Sequence, residues 1–263
     1  MIRKLFIFSA LAAILSLACL AGASAFVSYQ IGTTGWNWDV IKDQSRIHFG
    51  KDTKAVSDTQ TTKTLIWDGS DTLSVNVPAN VTFTQGDVPS VVITGPQFVI
   101  DGVLIENGRL SMRKGFDKSV TTAFNAKWDK TGFNMQTYDG TIDITIIAPK
   151  VSHFNLNGSG DLSVQAYDQP TMDVSLAGSG DIRANGHTQS LKLNIAGSGD
   201  ADLSDVQATD ADIGIAGSGN ASVHATGKVK ADIAGSGDVN LKGKPASLDS
   251  SVIGSGNVNS DDG

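Results

Sequence analysis

The tripeptide Gly-Ser-Gly recurs along the second half of this chain, with its first glycine at Gly158, Gly178, Gly197, Gly217, Gly235 and Gly254. The intervals are 20, 19, 20, 18 and 19 residues. An Asp or Asn follows each copy, at Asp161, Asp181, Asp200, Asn220, Asp238 and Asn257. A repeat of this length cannot bury an apolar face alone and must stack on its neighbours, which excludes most compact folds. The flanks alternate with a period of two. Phe154 and Leu156, Val174 and Leu176, Leu193 and Ile195, and Ile213 and Ile215 precede the first four copies. Leu162 and Val164, Ile182 and Ala184, Ala201 and Leu203, and Ala221 and Val223 follow them, with mostly polar residues between. Such alternation marks strands with one buried face. Each repeat therefore reads as strand, tight glycine turn, strand.

Two architectures can use this unit. In a meander or barrel each Gly-Ser-Gly would be a hairpin tip. In a β-solenoid each repeat is one coil, and its strands pair with the equivalent strands of the next. The repeats match residue for residue, so stacking them about 4.8 Å apart places like on like. That favours an all-β parallel β-helix with coils of about 18–20 residues and Gly-Ser-Gly corner turns. Ala177, Ala196, Ala216 and Ala234 precede four of the copies and suit a corner where successive backbones lie close. Length variation falls on the opposite side, at Asp168-Gln169-Pro170, Asn185-Gly186, Thr226-Gly227 and Lys244-Pro245, all of which are loop signals. Burying about four aliphatic side chains per coil, at ~1.5–3 kcal/mol each, supplies a driving force against chain entropy.

The composition agrees with an all-β chain. Glu106 is the only glutamate, and every other acidic residue is an aspartate, which serves turns better than helices. The first 25 residues read as a secretory signal peptide: Arg3 and Lys4, an apolar run from Leu5 to Leu20, and Ala23-Ser24-Ala25 before Phe26. Cys19 follows a small residue, as a lipoprotein signal requires, but Ser16 and Leu20 depart from that pattern. Cleavage after Ala25 would remove the only cysteine, and with it any disulfide or thiol chemistry. Losing Arg3 and Lys4 takes the formal charge from −7 to −9, which argues against nucleic acid and anionic lipid as partners.

Residues 26–64 read as a polar tether or cap with scattered Trp36, Trp38 and Phe49. Residues 65–150 read as irregular, degenerate early coils, with an irregular insertion over 114–140 that contains Trp128, Phe133 and Tyr138. The regular repeats occupy 151–263. The succession Val75-Asn-Val-Pro-Ala-Asn-Val81, Gln85-Gly-Asp87, Asn107-Gly-Arg-Leu110, Ile144-Thr-Ile-Ile-Ala-Pro149 and Leu156-Asn-Gly-Ser-Gly-Asp161, followed by serial Gly-Ser-Gly turns, resembles the auto-transporter adhesin, head GIN domain family. The resemblance runs from about Leu65 to Gly263. It implies a parallel β-helix related in shape to pectin-lyase-like folds and a role in cell adhesion, without established catalytic residues.

Candidate chemistry is sparse. In a solenoid Asp161, Asp181, Asp200 and Asp238 would form a ladder with Asn220 and Asn257, which could hold a row of weak calcium ions. The nine-residue calcium-solenoid repeat is absent, and amide members weaken a cation site. The favoured reading is that each side chain accepts hydrogen bonds from its own turn. Ser159, Ser179, Ser198, Ser218, Ser236 and Ser255 lack the G-x-S-x-G setting and a base, so they read as turn residues rather than nucleophiles. His48, His153, His187 and His224 are too scattered for a metal motif. Arg183 beside Asp181 is the nearest approach to a lyase-like pair. Trp36, Trp38, Trp128 and Tyr138 could form a binding platform, or cap the apolar column. No cofactor and no metal are expected.

These readings point to an exported, non-enzymatic cell-envelope protein whose β-helix displays an adhesive or ligand-binding surface for cell-surface or matrix glycans or proteins. The alternatives are a carbohydrate-active enzyme on the same scaffold and a purely structural envelope component. The intact mass of the exported protein should correspond to an N-terminus at Phe26; a lipid-modified Cys19 terminus would instead establish an anchored form.

Overall fold

A computed structural model of the chain describes residues 60–113, 122–129, 132–139 and 142–260. The signal segment with Cys19, the stretch bearing Trp36, Trp38, His48 and Phe49, and residues 261–263 lie outside the described residues. The first strands are β1 (Gln60–Leu65), β2 (Thr72–Val75), β3 (Ala79–Gln85) and β4 (Ser90–Pro96). A single helical turn α1 (Gln97–Ile100) leads to β5 (Val103–Glu106) and β6 (Arg109–Met112). β7 (Thr122–Asp129) and β8 (Gly132–Asp139) form a two-stranded sheet of their own. The sequence read that stretch as irregular. Its Phe, Trp and Tyr are spread among Lys, Asp and Asn without clean alternation, which hid the strands.

The remaining strands build a parallel β-helix. They are β9 (Ile142–Ala148), β10 (His153–Gly158), β11 (Asp161–Asp168), β12 (Thr171–Gly178), β13 (Ile182–Gly197), β14 (Ala201–Gly217), β15 (Ala221–Ala225), β16 (Lys228–Gly235), β17 (Val239–Lys242), β18 (Ser247–Gly254) and β19 (Val258–Ser260). Strands entering the glycine corner stack in one column, so that Leu73, Phe154, Val174, Leu193, Ile213, Ala231 and Ser250 succeed one another in register. Strands leaving it stack in a second column, which places Leu162, Ile182, Ala201, Ala221, Val239 and Val258 in line. Alternate residues point inward, and all but the last coil's are buried. The core is widest near the first coils, where Phe154 packs edge-on against Phe83 at 5.1 Å and Tyr167 at 5.8 Å. It narrows to Ala231 and Ala221 toward the other end. Burial pushes the Tyr167 phenol up, and its hydroxyl donates to the Thr171 carbonyl at 2.5 Å.

Why glycine is required at the corner follows from the stacking. The first glycine of each copy has φ between 118° and 144°, a region closed to other residues. From the second copy onward its carbonyl partner is the equivalent glycine one coil earlier. A Cβ on Gly178 would lie 2.2 Å from the Gly158 carbonyl oxygen, and one on Gly197 would lie 2.2 Å from that of Gly178. The second glycine is blocked in the same way, with a Gly199 Cβ 2.1 Å from the Gly180 oxygen. This close approach lets Ser198 and Gly199 donate together to the Gly178 carbonyl at 2.9 and 3.1 Å. The alanines beside the corner do not share this role. Ala196, Ala216 and Ala234 face solvent, so the tight approach belongs to the glycines.

Coil-length differences are absorbed mostly inside the strands. β13 runs unbroken through Asn185 and Gly186, which the sequence reads as loop, and β14 continues through the matching stretch of the next coil. The register instead shifts between Val164 and Tyr167, between Arg183 and Asn185, and between Leu203 and Gln207. Bulges of this kind leave backbone N–H groups unpaired, and Asx side chains take them up. Asn185 accepts from the Ala166 N–H at 3.0 Å, where Ala166 has a φ of 53°, and Asp202 accepts from the Ser204 N–H at 3.2 Å.

Residues 65–150 also differ from a simple run of early coils. β2 and β3 form the first coil, with Val77-Pro78-Ala79-Asn80 where later coils have Gly-Ser-Gly-Asp. The chain then turns back: β4 runs antiparallel to both β9 and β1, and β5 pairs antiparallel with β6 through a tight turn at Asn107 and Gly108. β9 stacks on one side of β3, and β11 on the other. The first coil is thus sandwiched between segments that follow it. Among the described residues strand structure is already present at Gln60, five residues before the alternation becomes visible at Leu65.

Replacing Gly199 by alanine should destabilise the solenoid by about 2 kcal/mol or more, since backbone must move to admit the methyl group. Alanine at Gly69, which has a φ of 83° and open space around it, should cost only the conformational penalty of about 1–2 kcal/mol. Urea denaturation of the two variants checks the difference.

Candidate functional site

The corner and the two strand columns place each predicted site residue. The serines of the six Gly-Ser-Gly copies all face solvent. In Ser179, Ser198, Ser218, Ser236 and Ser255 the backbone N–H donates to the glycine carbonyl one coil earlier. They are corner residues, as their sequence setting implies.

The Asp/Asn column is an unbroken hydrogen-bond ladder. Asp161 accepts from the Asp181 N–H at 3.1 Å, Asp181 from the Asp200 N–H at 3.3 Å, and Asp200 from the Asn220 N–H at 2.7 Å. Asn220 accepts from the Asp238 N–H at 3.0 Å, and Asp238 from the Asn257 N–H at 2.8 Å. The sequence reading assigned each side chain to its own turn; in the structure the donor belongs to the next coil. The reason lies in the corner. The backbone leaves the glycine turn with an N–H aimed at the previous coil, where the acceptor is a side-chain oxygen instead of a carbonyl. The return bond is backbone to backbone, as in Leu162 N–H to the Asp181 carbonyl at 2.9 Å. An amide oxygen serves as well as a carboxylate, which explains why Asn220 and Asn257 interrupt the aspartates. Asn220 and Asn257 also donate from their own amides to Asp200 and Asp238.

Three aspartates in sequence, Asp161, Asp181 and Asp200, bring like charges together. Arg183 lies against the middle one, 3.7 Å from Asp181 Oδ2, with both side chains solvent-exposed. That is the pair the sequence singled out as lyase-like, and the structure brings its two members into contact. Among the described residues, no three His, Cys, Asp or Glu side chains converge where a metal could sit. His153 and His187 are exposed and His224 is half-buried. His187 Nδ1 lies 3.8 Å from Asp168, and His153 Nδ1 lies 3.0 Å from the Ser152 hydroxyl. Trp128 and Tyr138 fall on β7 and β8.

A second row is legible in the sequence once the copies are aligned on their glycines. Five residues before the first glycine of the last five copies stand Asp173, Lys192, Asp212, Lys230 and Asp249, with His153 at the same place in the first copy, and the register stacks them as direct neighbours. Alternating charge turns what could be a repulsive column into an attractive one. Lys230 is held above the ordinary lysine range by its hydrogen bond with Asp232 and by the charge of that carboxylate, which lies on the same exposed face. Beside this row runs a shallow open groove of about 350 Å³ lined by Ser190, Asp210, Asp212, Lys228, Lys230 and Asp249, among others. On the other column Ser163, Arg183, Asp202, Ser222, Asn240 and Asn259 form an outward row. Asp202 is held below the usual carboxylate range, chiefly by its hydrogen bond with the Ser204 side chain.

The family described as "Putative auto-transporter adhesin, head GIN domain" matches residues 70–245, and the chain belongs to that family. Among solved structures, a putative adhesin from Bacteroides fragilis is similar at 18% identity with a TM-score of 0.57, covering 78% of this chain and 98% of that one. It shares the fold. A putative lipid binding protein from Parabacteroides distasonis aligns at 23% identity with a TM-score of 0.44, over 76% of this chain and 96% of the other. A putative adhesin from the same organism aligns at 18% identity with a TM-score of 0.43, over 78% and 98%. No curated protein matches the chain.

Removing the acceptor with Asp200→Ala should lower stability by about 1 kcal/mol, the net worth of such a bond. Asp200→Asn should leave it nearly unchanged. If millimolar calcium raises the melting temperature of the wild-type protein and not of Asp200→Asn, the ladder binds the cation; we expect no difference.

Proposed function

We propose that this protein is an exported, non-enzymatic component of the cell envelope whose solenoid face adheres to a polymeric partner, a glycan or a protein of a cell surface or matrix. The observation that carries the reading is the outward row Ser163, Arg183, Asp202, Ser222, Asn240 and Asn259, which repeats polar groups once per coil on a sheet fixed by its own ladder. A polymer with a regular repeat can meet such a row at several points. Many weak contacts on a rigid frame then add up, because each contact after the first is intramolecular. Membership of a family described as adhesin-like supports the same reading. The signal segment Arg3 to Ala25 supports export.

The purified protein should bind at least one preparation of cells, matrix or glycans. Ser222→Trp, a bulky obstruction in the middle of the row, should weaken that binding at least about tenfold with unchanged circular dichroism. Binding to none of these preparations would remove the adhesive role. Release of unsaturated or reducing sugars, abolished by Asp181→Ala with Arg183→Ala, would point to a carbohydrate-active enzyme instead.

A further inference from the structure

The two ends of the solenoid are finished differently. At the N-terminal end β1 runs antiparallel to β4, and it carries Lys63 and three exposed polar residues, Gln60, Thr62 and Thr64. Such features discourage further strand pairing. At the other end, every residue of β18 is exposed. Its inward positions are known from the register: Leu248, Ser250 and Val252 follow the buried Val229, Ala231 and Ile233. Leu248 is 41% exposed and Val252 40% exposed, with Ile253 at 75% beside them. Among residues 247–260 the only charge is Asp249. No proline, lysine or bulge blunts this edge, and depletion of charge around apolar groups is what the centre of a protein interface requires.

We propose that this last coil is the interface of a two-fold dimer, in which β18 pairs antiparallel with β18 of a second copy, centred on Ser250. The assignment of a second copy rests on self-complementarity. A two-fold axis through Ser250 sets Leu248 opposite Val252 of the partner subunit, Ser250 opposite itself, and Asp249 opposite Ser251 of the partner subunit. Aliphatic therefore meets aliphatic and no charge meets its like. Because an antiparallel pair centred on a residue keeps the side-chain parity, all three inward positions of one copy continue the interior of the other. A self-pairing surface of this kind closes as a dimer; head-to-tail stacking would grow filaments, and β5, which begins the column that ends in β18, has its inward Val103 buried and Ile105 half-buried, so it offers no exposed apolar row to match. This inference does not depend on the adhesive reading.

The test uses the full chain with Cys19→Ser, so that an introduced cysteine is alone. Ser250→Cys should form a disulfide-linked dimer under mild oxidation, because residues facing each other across an antiparallel pair lie within bridging distance. Ser222→Cys, on the outward row of an inner coil, should not. The otherwise unmodified protein should sediment as a dimer at micromolar concentration, and Val252→Lys should weaken dimerisation at least about tenfold. The exposed position of Val252 makes unfolding avoidable, and the cysteine experiment leaves the apolar residues in place. A wild-type monomer, an assembly larger than a dimer, or cross-linking of Ser222→Cys as fast as Ser250→Cys would each overturn the proposal. Protection of the Val252 amide from hydrogen exchange in a monomer would show that another part of the same chain covers the edge, and would overturn it too.

Discussion

The approach of one glycine carbonyl to the next coil's glycine is the constraint from which the rest of the solenoid follows. With Cβ positions about 2 Å from a carbonyl oxygen at both corner glycines, no other residue fits without moving backbone. That closeness in turn lets two N–H groups reach one carbonyl. The corner therefore fixes the relative height and rotation of successive coils. Once it is set, like residues must lie over like, and the interior becomes columns instead of a mixed core. The aliphatic rows, the Asp/Asn ladder and the alternating charges are all consequences of that one registration.

Registration also decides what polar chemistry the surface can hold. A column of identical charges is unfavourable at strand spacing, roughly 1 kcal/mol per neighbouring pair even in water. The chain meets this in three ways. It alternates Asp with Lys in one row, it replaces aspartate by asparagine where only an acceptor is needed, and it sets Arg183 against the central carboxylate of the one run of three. The aspartates that suggest a metal row thereby also act as acceptors for backbone N–H groups of the next coil.

Much of the fold could be read from the sequence because the repeat carries it. The period of Gly158 to Gly254, the alternation around each corner and the trailing Asp or Asn together specify parallel coils. What could not be read were features that depend on which coil lies next to which. The donor to Asp200 belongs to Asn220 twenty residues on, and a local Asx-turn would have looked the same on paper. The bulge between Arg183 and Asn185 is invisible until the neighbouring strand is known, because Asn185-Gly186 is also an ordinary loop signal. Before the first Gly-Ser-Gly the repeat gives no guide, so the reversed strands β4 and β5 and the return of β9 onto β3 escaped the one-dimensional pattern. The row beginning at Asp173 could have been found by aligning the copies on their glycines.

The intercalated first coil shapes the order in which the chain can assemble. Each regular coil closes a loop of 18 to 20 residues, and the entropy lost is nearly the same at every step. The first coil is different, since Asn80 must meet Asp143, and Gln85 must meet Asp168, across separations of 63 and 83 residues. Closing loops about four times longer costs about 1 kcal/mol more by chain statistics alone. The non-local part of the closure cost is thus concentrated where the large side chains Phe83, Phe154 and Tyr167 meet, and the later coils are equal local additions.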